Sequence, residues 1–453
     1  MKKKFAAAGL ALASFGLPLA SAPVHADPSE DALLKRVDAL SEQLDQLKSE
    51  LKQLKAQNEA LAAQQERQSA APSAATATAT AAEPGVGVPD AHAGVVATVP
   101  SLLDKATLFG YGEIAYNHYD HDKAATEADL RRAVFGIGYR FDANTRFVSE
   151  FESEHAVASS DDAGEFEVEQ FYIDHRITDW ASIKAGLILI PSGILNEVHE
   201  PPRFYGVERN FVETAIIPST WREGGIAVHG NVFNGFTYDV GLTTAQSLSK
   251  WDFTSTEGRE SPLGSVHQEL QLARASDLAQ YAALNYNGYP GLNVGGSVFT
   301  GEIGQDQPNF PASPRTTLWE VHSRWTPYRF DLSALYTRGS ITDTAGVNLI
   351  NVGQPTPIPK SFYGWYVQGA YKLWQHNSYA LNPFVRYERF NTASSYAGEP
   401  AGLGLTPLPT ESVKTYGVNF YLNPNIVLKA DYQNFTVDKN KDRFDLGLGF
   451  MFY

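Results

Sequence analysis

The chain has 453 residues, a formal net charge of −15 and no cysteine. Those three facts exclude disulfide and thiolate chemistry and argue against a nucleic-acid surface. Its 22 tyrosines, 25 phenylalanines and 37 glycines suit an exported, aromatic-rich β structure.

Lys2, Lys3 and Lys4 form a basic start, Phe5 to Ala20 an apolar run broken at Pro18, and Val24-His25-Ala26 a small-residue cleavage site. The pattern predicts a secretory signal peptide over 1–26. With no cysteine after it, lipid attachment at a thiol is excluded. No later stretch reaches the ~18 consecutive apolar residues of a membrane helix.

A heptad follows over 27–68. Leu33, Val37, Leu40, Leu44, Leu47, Leu51, Leu54, Asn58 and Leu61 recur in steps of four and three, with Val37, Leu44, Leu51 and Asn58 at a and the five other leucines at d. This predicts a coiled coil in which Glu50 and Lys55 pair between parallel chains and Asn58 fixes register. Leucine at both a and d leaves dimer and trimer open. Residues 69–104, rich in Ala, Thr and Pro, have no periodicity and read as a flexible linker.

From about residue 105 the period becomes two. Segments of some ten to fourteen residues are separated by gaps that alternate between short and long. The short ones include Asp142–Asn144, Gly288–Gly291 and Asn423–Asn425; the long ones include 119–126, 157–164, 191–222, 247–277, 305–314, 339–357 and 393–411. Phe444, Leu446, Leu448, Phe450 and Phe452 oppose Arg443, Asp445, Gly447 and Gly449, and other segments sort in the same way. One dry face and one wet face on strand after strand predict an all-β fold over 105–453. That fold is a 16-stranded antiparallel transmembrane barrel with a watery lumen, short periplasmic turns and long outer loops. The even count places both barrel ends, and the coiled coil, in the periplasm.

The 191–222 segment is unusually apolar for an exposed loop, with Phe204, Tyr205, Phe211, Ile216, Ile217 and Trp221. Such a loop gains by folding into the lumen and narrowing it. There Arg203, Arg209 and Arg222 would meet passing solutes, with Glu197, Glu200, Glu208 and Glu213 opposing them. On the wall, Glu150, Glu152 and Glu154 share a face and should meet water. A hairpin at 142–144 brings Arg132 near Glu154 and sets Arg140 and Arg146 lower down, with Lys184 as a further lumen charge. Glu113, Glu320, His322, Arg324, Arg386 and Glu388 are other inward candidates. Glu165, Glu167 and Glu169 alternate too, but Phe171 and Ile173 continue their face, so they stay unassigned.

His118-Tyr119-Asp120-His121-Asp122 holds metal-capable residues but reads as an ordinary outer loop. No phosphate loop, serine elbow or zinc-protease motif occurs. No cofactor, metal site or enzyme activity is expected.

The strand Ile183–Pro191, its Pro191-Ser192-Gly193 exit, the loop, and the return through Arg222-Glu223-Gly224-Gly225 resemble the phosphate-selective porin O and P family. The resemblance implies a homotrimeric 16-stranded outer-membrane porin whose third loop narrows a channel for phosphate or related anions. It also implies an N-terminal coiled coil. No dense arginine ladder can be matched in this chain, so weak anion preference or near neutrality is the expectation. Two other readings compete. One is a general, non-selective porin. The other is a structural protein tying the outer membrane to peptidoglycan or another periplasmic partner through the coiled coil.

Overall fold

The computed structural model describes residues 104–159, 164–308, 313–398 and 405–453, together with Lys52. The expected signal peptide, heptad segment and linker up to residue 103 otherwise lie outside the described residues.

Strands fill the barrel unit in chain order. The first half holds β1 (Ala106–Tyr119), β2 (Glu127–Arg140), β3 (Thr145–Glu154), β4 (Phe166–Thr178), β5 (Ala181–Leu189), β6 (Arg222–Val232), β7 (Phe236–Thr244) and β8 (Leu278–Tyr286). The second half holds β9 (Leu292–Glu302), β10 (Arg315–Trp325), β11 (Phe330–Ile341), β12 (Ser361–Tyr371), β13 (Trp374–His376), β14 (Tyr379–Ser395), β15 (Glu411–Asn423), β16 (Ile426–Phe435) and β17 (Arg443–Phe452). Each pairs antiparallel with its neighbours, and β17 pairs back onto β1, so the sheet closes without an edge. β12 and β13 both pair with β14 and make one stave between them. The 17 segments therefore form the expected 16 staves.

Side chains sort as the alternation requires. On β17, Phe444, Leu446 and Phe452 are exposed on the outer surface, whereas Asp445 is fully buried and Arg443 nearly so on the inner one. Aromatic pairs ring the short-turn end: Tyr139 with Phe141, Phe236 with Tyr286, and Phe330 with Tyr371, at centroid separations of 5.1, 4.9 and 5.0 Å. Such a girdle suits the level of lipid headgroups. The turns there are built locally. In the turn after β2, the backbone N–H groups of Asn144 and Thr145 donate to Asp142 at 2.7 and 2.8 Å and hold its carboxyl below the usual range.

Five register shifts interrupt the ladders of the described residues, and two of them lie near the third loop. Between β1 and β2 the register passes from Glu113↔Arg132 to Ile114↔Leu130, which leaves Arg131 as an extra residue. Between β3 and β4 it passes from Glu150↔Gln170 to Phe151↔Val168, which leaves Glu169 extra. A bulge re-aims the side chains beyond it. The unassigned Glu167 and Glu169 therefore share the inner face with Asp174, although Phe171 and Ile173 continue their sequence parity outward. The second correction concerns Glu150 and Glu152: both face inward, but they are buried rather than open to water.

Candidate functional site

The third long loop, between β5 and β6, runs inside the barrel. Its neck is closed by one side chain. Asn196 donates through Nδ2 to the carbonyls of Ile190 and Trp221 at 2.8 and 2.9 Å and accepts from the Trp221 N–H at 2.7 Å. A second side chain, the carboxylate of Glu213, staples the loop to itself. It accepts from the N–H groups of Ile194 and Leu195, from Asn210 Nδ2, and from the Tyr366 hydroxyl on β12. Gly193, at φ +81°, lies where an added Cβ would come 2.4 Å from Glu213 Oε1, so glycine is required there.

Apolar burial explains why the loop turns in. Val212, Ile216, Ile217 and Trp221 are fully buried in one cluster with Phe299, Leu318 and Phe362 of the wall and Leu248 and Leu263 of the loop after β7. Full burial of each such aliphatic side chain contributes about 1.5–3 kcal/mol. Trp221 and Phe299 pack at a centroid separation of 4.5 Å.

Past Glu200 the loop crosses to the opposite wall, where side chains hold its backbone. Asn419 on β15 donates to the Phe204 carbonyl at 3.0 Å, and Asp431 on β16 accepts from the Val207 N–H at 2.6 Å. On β14, Arg386 donates to the Tyr205 carbonyl at 3.0 Å, and Glu388 accepts from the Phe211 N–H at 2.6 Å. Lys429 lies 3.4 Å over the Phe204 ring, a cation–π contact. Glu208 reaches Arg131 at 2.8 Å, Asn117 at 3.1 Å and Arg443 at 3.8 Å. A single loop thus touches staves all around the barrel.

The charges singled out in sequence fall into two groups. Arg203 and Glu197 are exposed, and Glu197 lies 4.0 Å from Lys184. Arg203 shares a cleft with Tyr205, Arg324 and Arg386. Arg209 and Arg222 are instead buried. Arg209 bonds Ser219, Thr220 and the His199 carbonyl, while Arg222 pairs with Glu167 at 2.5 Å and Glu269 at 2.9 Å. Glu200 is half-buried.

On the wall, Arg132 stands in register with Glu154, as the hairpin implied, but its ion pairs are with Glu113 at 3.5 Å and Glu152 at 3.4 Å. Lys184 pairs with Asp239 at 2.5 Å. Arg140 faces Arg146 in register, and Arg146 pairs with Asp174 at 2.7 Å while staying largely exposed. Both line a cavity of about 480 Å³ at the short-turn end, with Arg176 and His229. Arg324 chelates Asp331 at 3.0 and 2.7 Å and keeps a third of its side chain exposed.

Sequence reasoning missed Arg131, Asn419, Lys429 and Asp431. The last three stand on the wet side of clean alternations and were open to inference. Arg131 is displaced by a bulge and carried no periodic signal.

A closed sixteen-stave antiparallel barrel, apolar outside and polar inside, with long loops at one end and the third folded within, has the architecture of outer-membrane porins. Residues 278–448 match the profile of the family described as phosphate-selective porin O and P, which bears out the resemblance first seen at 191–225. The matched stretch, β8 to β17, lies C-terminal to that block. An uncharacterized protein of Aquifex aeolicus (strain VF5) is 29% identical over 356 residues, covering 76% of this chain and 79% of its own. Among solved structures, Salmonella typhi OmpF in complex with daunomycin aligns at a TM-score of 0.54 and 15% identity. It covers 77% of this chain and 97% of that one, a likeness of fold.

Proposed function

We propose that the chain forms a water-filled channel for passive diffusion of small solutes across the outer membrane, narrowed by residues 191–222. The passage of that loop across the lumen, with its backbone bonded to Asn419, Asp431, Arg386 and Glu388, carries the reading. Solutes pass the loop's free side, where Arg203 and Glu197 are exposed and Arg324 is partly so. Guanidinium groups there and at Arg140 and Arg146 favour small anions, phosphate among them. The interleaved carboxylates keep that preference weak. Arg209 and Arg222 hold the loop in place and do not contact solute.

In this reading the short turns face the periplasm, as does the 27–68 segment. That segment joins three copies into a homotrimer and offers a periplasmic contact, such as peptidoglycan. Planar-bilayer recording across a salt gradient tests the proposal. Discrete steps in groups of three, with a reversal potential near zero or weakly anion-selective, are expected. An absence of conductance rejects the channel, and strong cation selectivity rejects the anion preference.

A further inference from the structure

Glu150 on β3, Glu169 on β4 and His199 in the third loop each bring one ligand atom within 4.8 Å of the others, and all three residues are buried. Local structure accounts for the meeting. The bulge turns Glu169 inward beside Glu150 rather than outward with Phe171. His199 lies three residues past the Asn196 neck, and its Nδ1 donates to the Asn196 carbonyl at 2.9 Å. A carbonyl can only accept, so the proton sits on Nδ1 and the lone pair on Nε2.

That Nε2 points at Glu169 Oε1 from 4.0 Å, beyond hydrogen-bonding distance, on a side chain only 4% exposed. An imidazole whose far nitrogen donates to a backbone carbonyl while the near one faces carboxylates is oriented as metal-ligating histidines are. The Tyr111 ring packs edge-on against it at 5.6 Å.

Charge accounting points the same way. Glu113, Glu150, Glu152 and Glu169 are all buried here. Arg132 serves Glu113 and Glu152, and Arg209 is spent on hydroxyls and a carbonyl. Glu150 is hydrogen-bonded by Gln170, and Glu169 by the Tyr111 hydroxyl and the Glu152 carboxyl, so among the described residues no cation bonds either one directly. Glu200, next to His199, buries Oε2 without a hydrogen-bond partner among the described residues. Two ionised carboxylates this close repel each other and are costly to bury; a divalent cation offsets both penalties.

We propose that Glu150, Glu169 and His199 form a binding site for a divalent cation of the zinc class, which pins the root of the third loop to the β3–β4 wall. One imidazole nitrogen and two carboxylate oxygens are a zinc donor set, with a fourth position left for water or Glu200. The site stands apart from the solute path and does not depend on what the channel carries.

The test uses the full chain, purified in detergent, stripped with chelator and titrated with ZnCl₂ or CoCl₂. One Zn²⁺ per chain is expected, together with the visible absorption of four-coordinate Co²⁺. His199→Gln and Glu169→Gln should each weaken binding by more than the about 10–100-fold typical of losing an outer-shell partner. Tyr111→Phe, which removes only a hydrogen bond to Glu169, should keep the stoichiometry. Folding of each variant is read from its heat-modifiable gel mobility. No saturable uptake, no Co²⁺ bands from the unmodified chain, or equal zinc binding by folded His199→Gln and Glu169→Gln would overturn the site. Zinc that binds without slowing proteolysis within 191–222 would overturn the pinning.

Discussion

Glu208, at the far reach of the third loop, lies 2.8 Å from Arg131, the extra residue of a bulge in β2. The loop is thus held at both ends of its crossing. A glutamate from the loop meets an arginine that the bulge turns inward, and Asn196 closes the neck on the other side. Each partner of the Glu208–Arg131 pair is only 25% exposed. Arg131→Gln should therefore cost about 2 kcal/mol, less than the ~3–5 kcal/mol of a fully buried pair. The expected phenotype is a noisier open channel with preserved barrel folding; a quiet channel of unchanged conductance would show that the pair does not restrain the loop.

Selectivity should divide the loop arginines. A unit charge about 4 Å from a hydrated ion is worth about 1 kcal/mol in water, so Arg203→Ala should move the anion/cation permeability ratio by a few-fold, toward cations. Arg209→Ala and Arg222→Ala remove buried, bonded groups. They should lower thermal stability and leave the reversal potential of the folded channel in place. Equal reversal-potential shifts in all three variants would contradict the division.

Gly193→Ala places a methyl group 2.4 Å from Glu213 Oε1 at a φ of +81°. Left-handed strain of about 1–3 kcal/mol, plus displacement of the Glu213 staple, should make the loop sensitive to protease while the strands stay resistant. An unchanged digestion pattern would show that the staple is dispensable.

Much of this architecture could be read directly from residue order. Strict alternation in segments such as Phe444–Phe452 gave the staves, and Ile216, Ile217 and Trp221 marked a loop too apolar to remain in water. The bulges were not legible. A single extra residue at Arg131 or Glu169 inverts the parity on which face assignment depends, and the chain carries no local mark of it. Ion pairing was equally hidden, because partners stand on staves far apart in sequence. Arg222 meets Glu167, and Glu208 meets Arg443. Arg386 and Glu388, legible as inward charges, turned out to hold loop backbone.

The central claim, that residues 191–222 cross the lumen, is open to a direct covalent measurement because the chain has no cysteine. A Cβ built at Gly447 on β17 lies 3.6 Å from Val207 Cβ in the loop, within the Cβ separation of about 3.5–4.5 Å that a disulfide requires. The double variant Val207→Cys/Gly447→Cys should oxidise spontaneously in the folded barrel. The product should migrate as a cross-linked species on non-reducing gels and still conduct ions. A folded barrel in which the two cysteines stay reduced and freely alkylated would place the loop elsewhere and contradict this account.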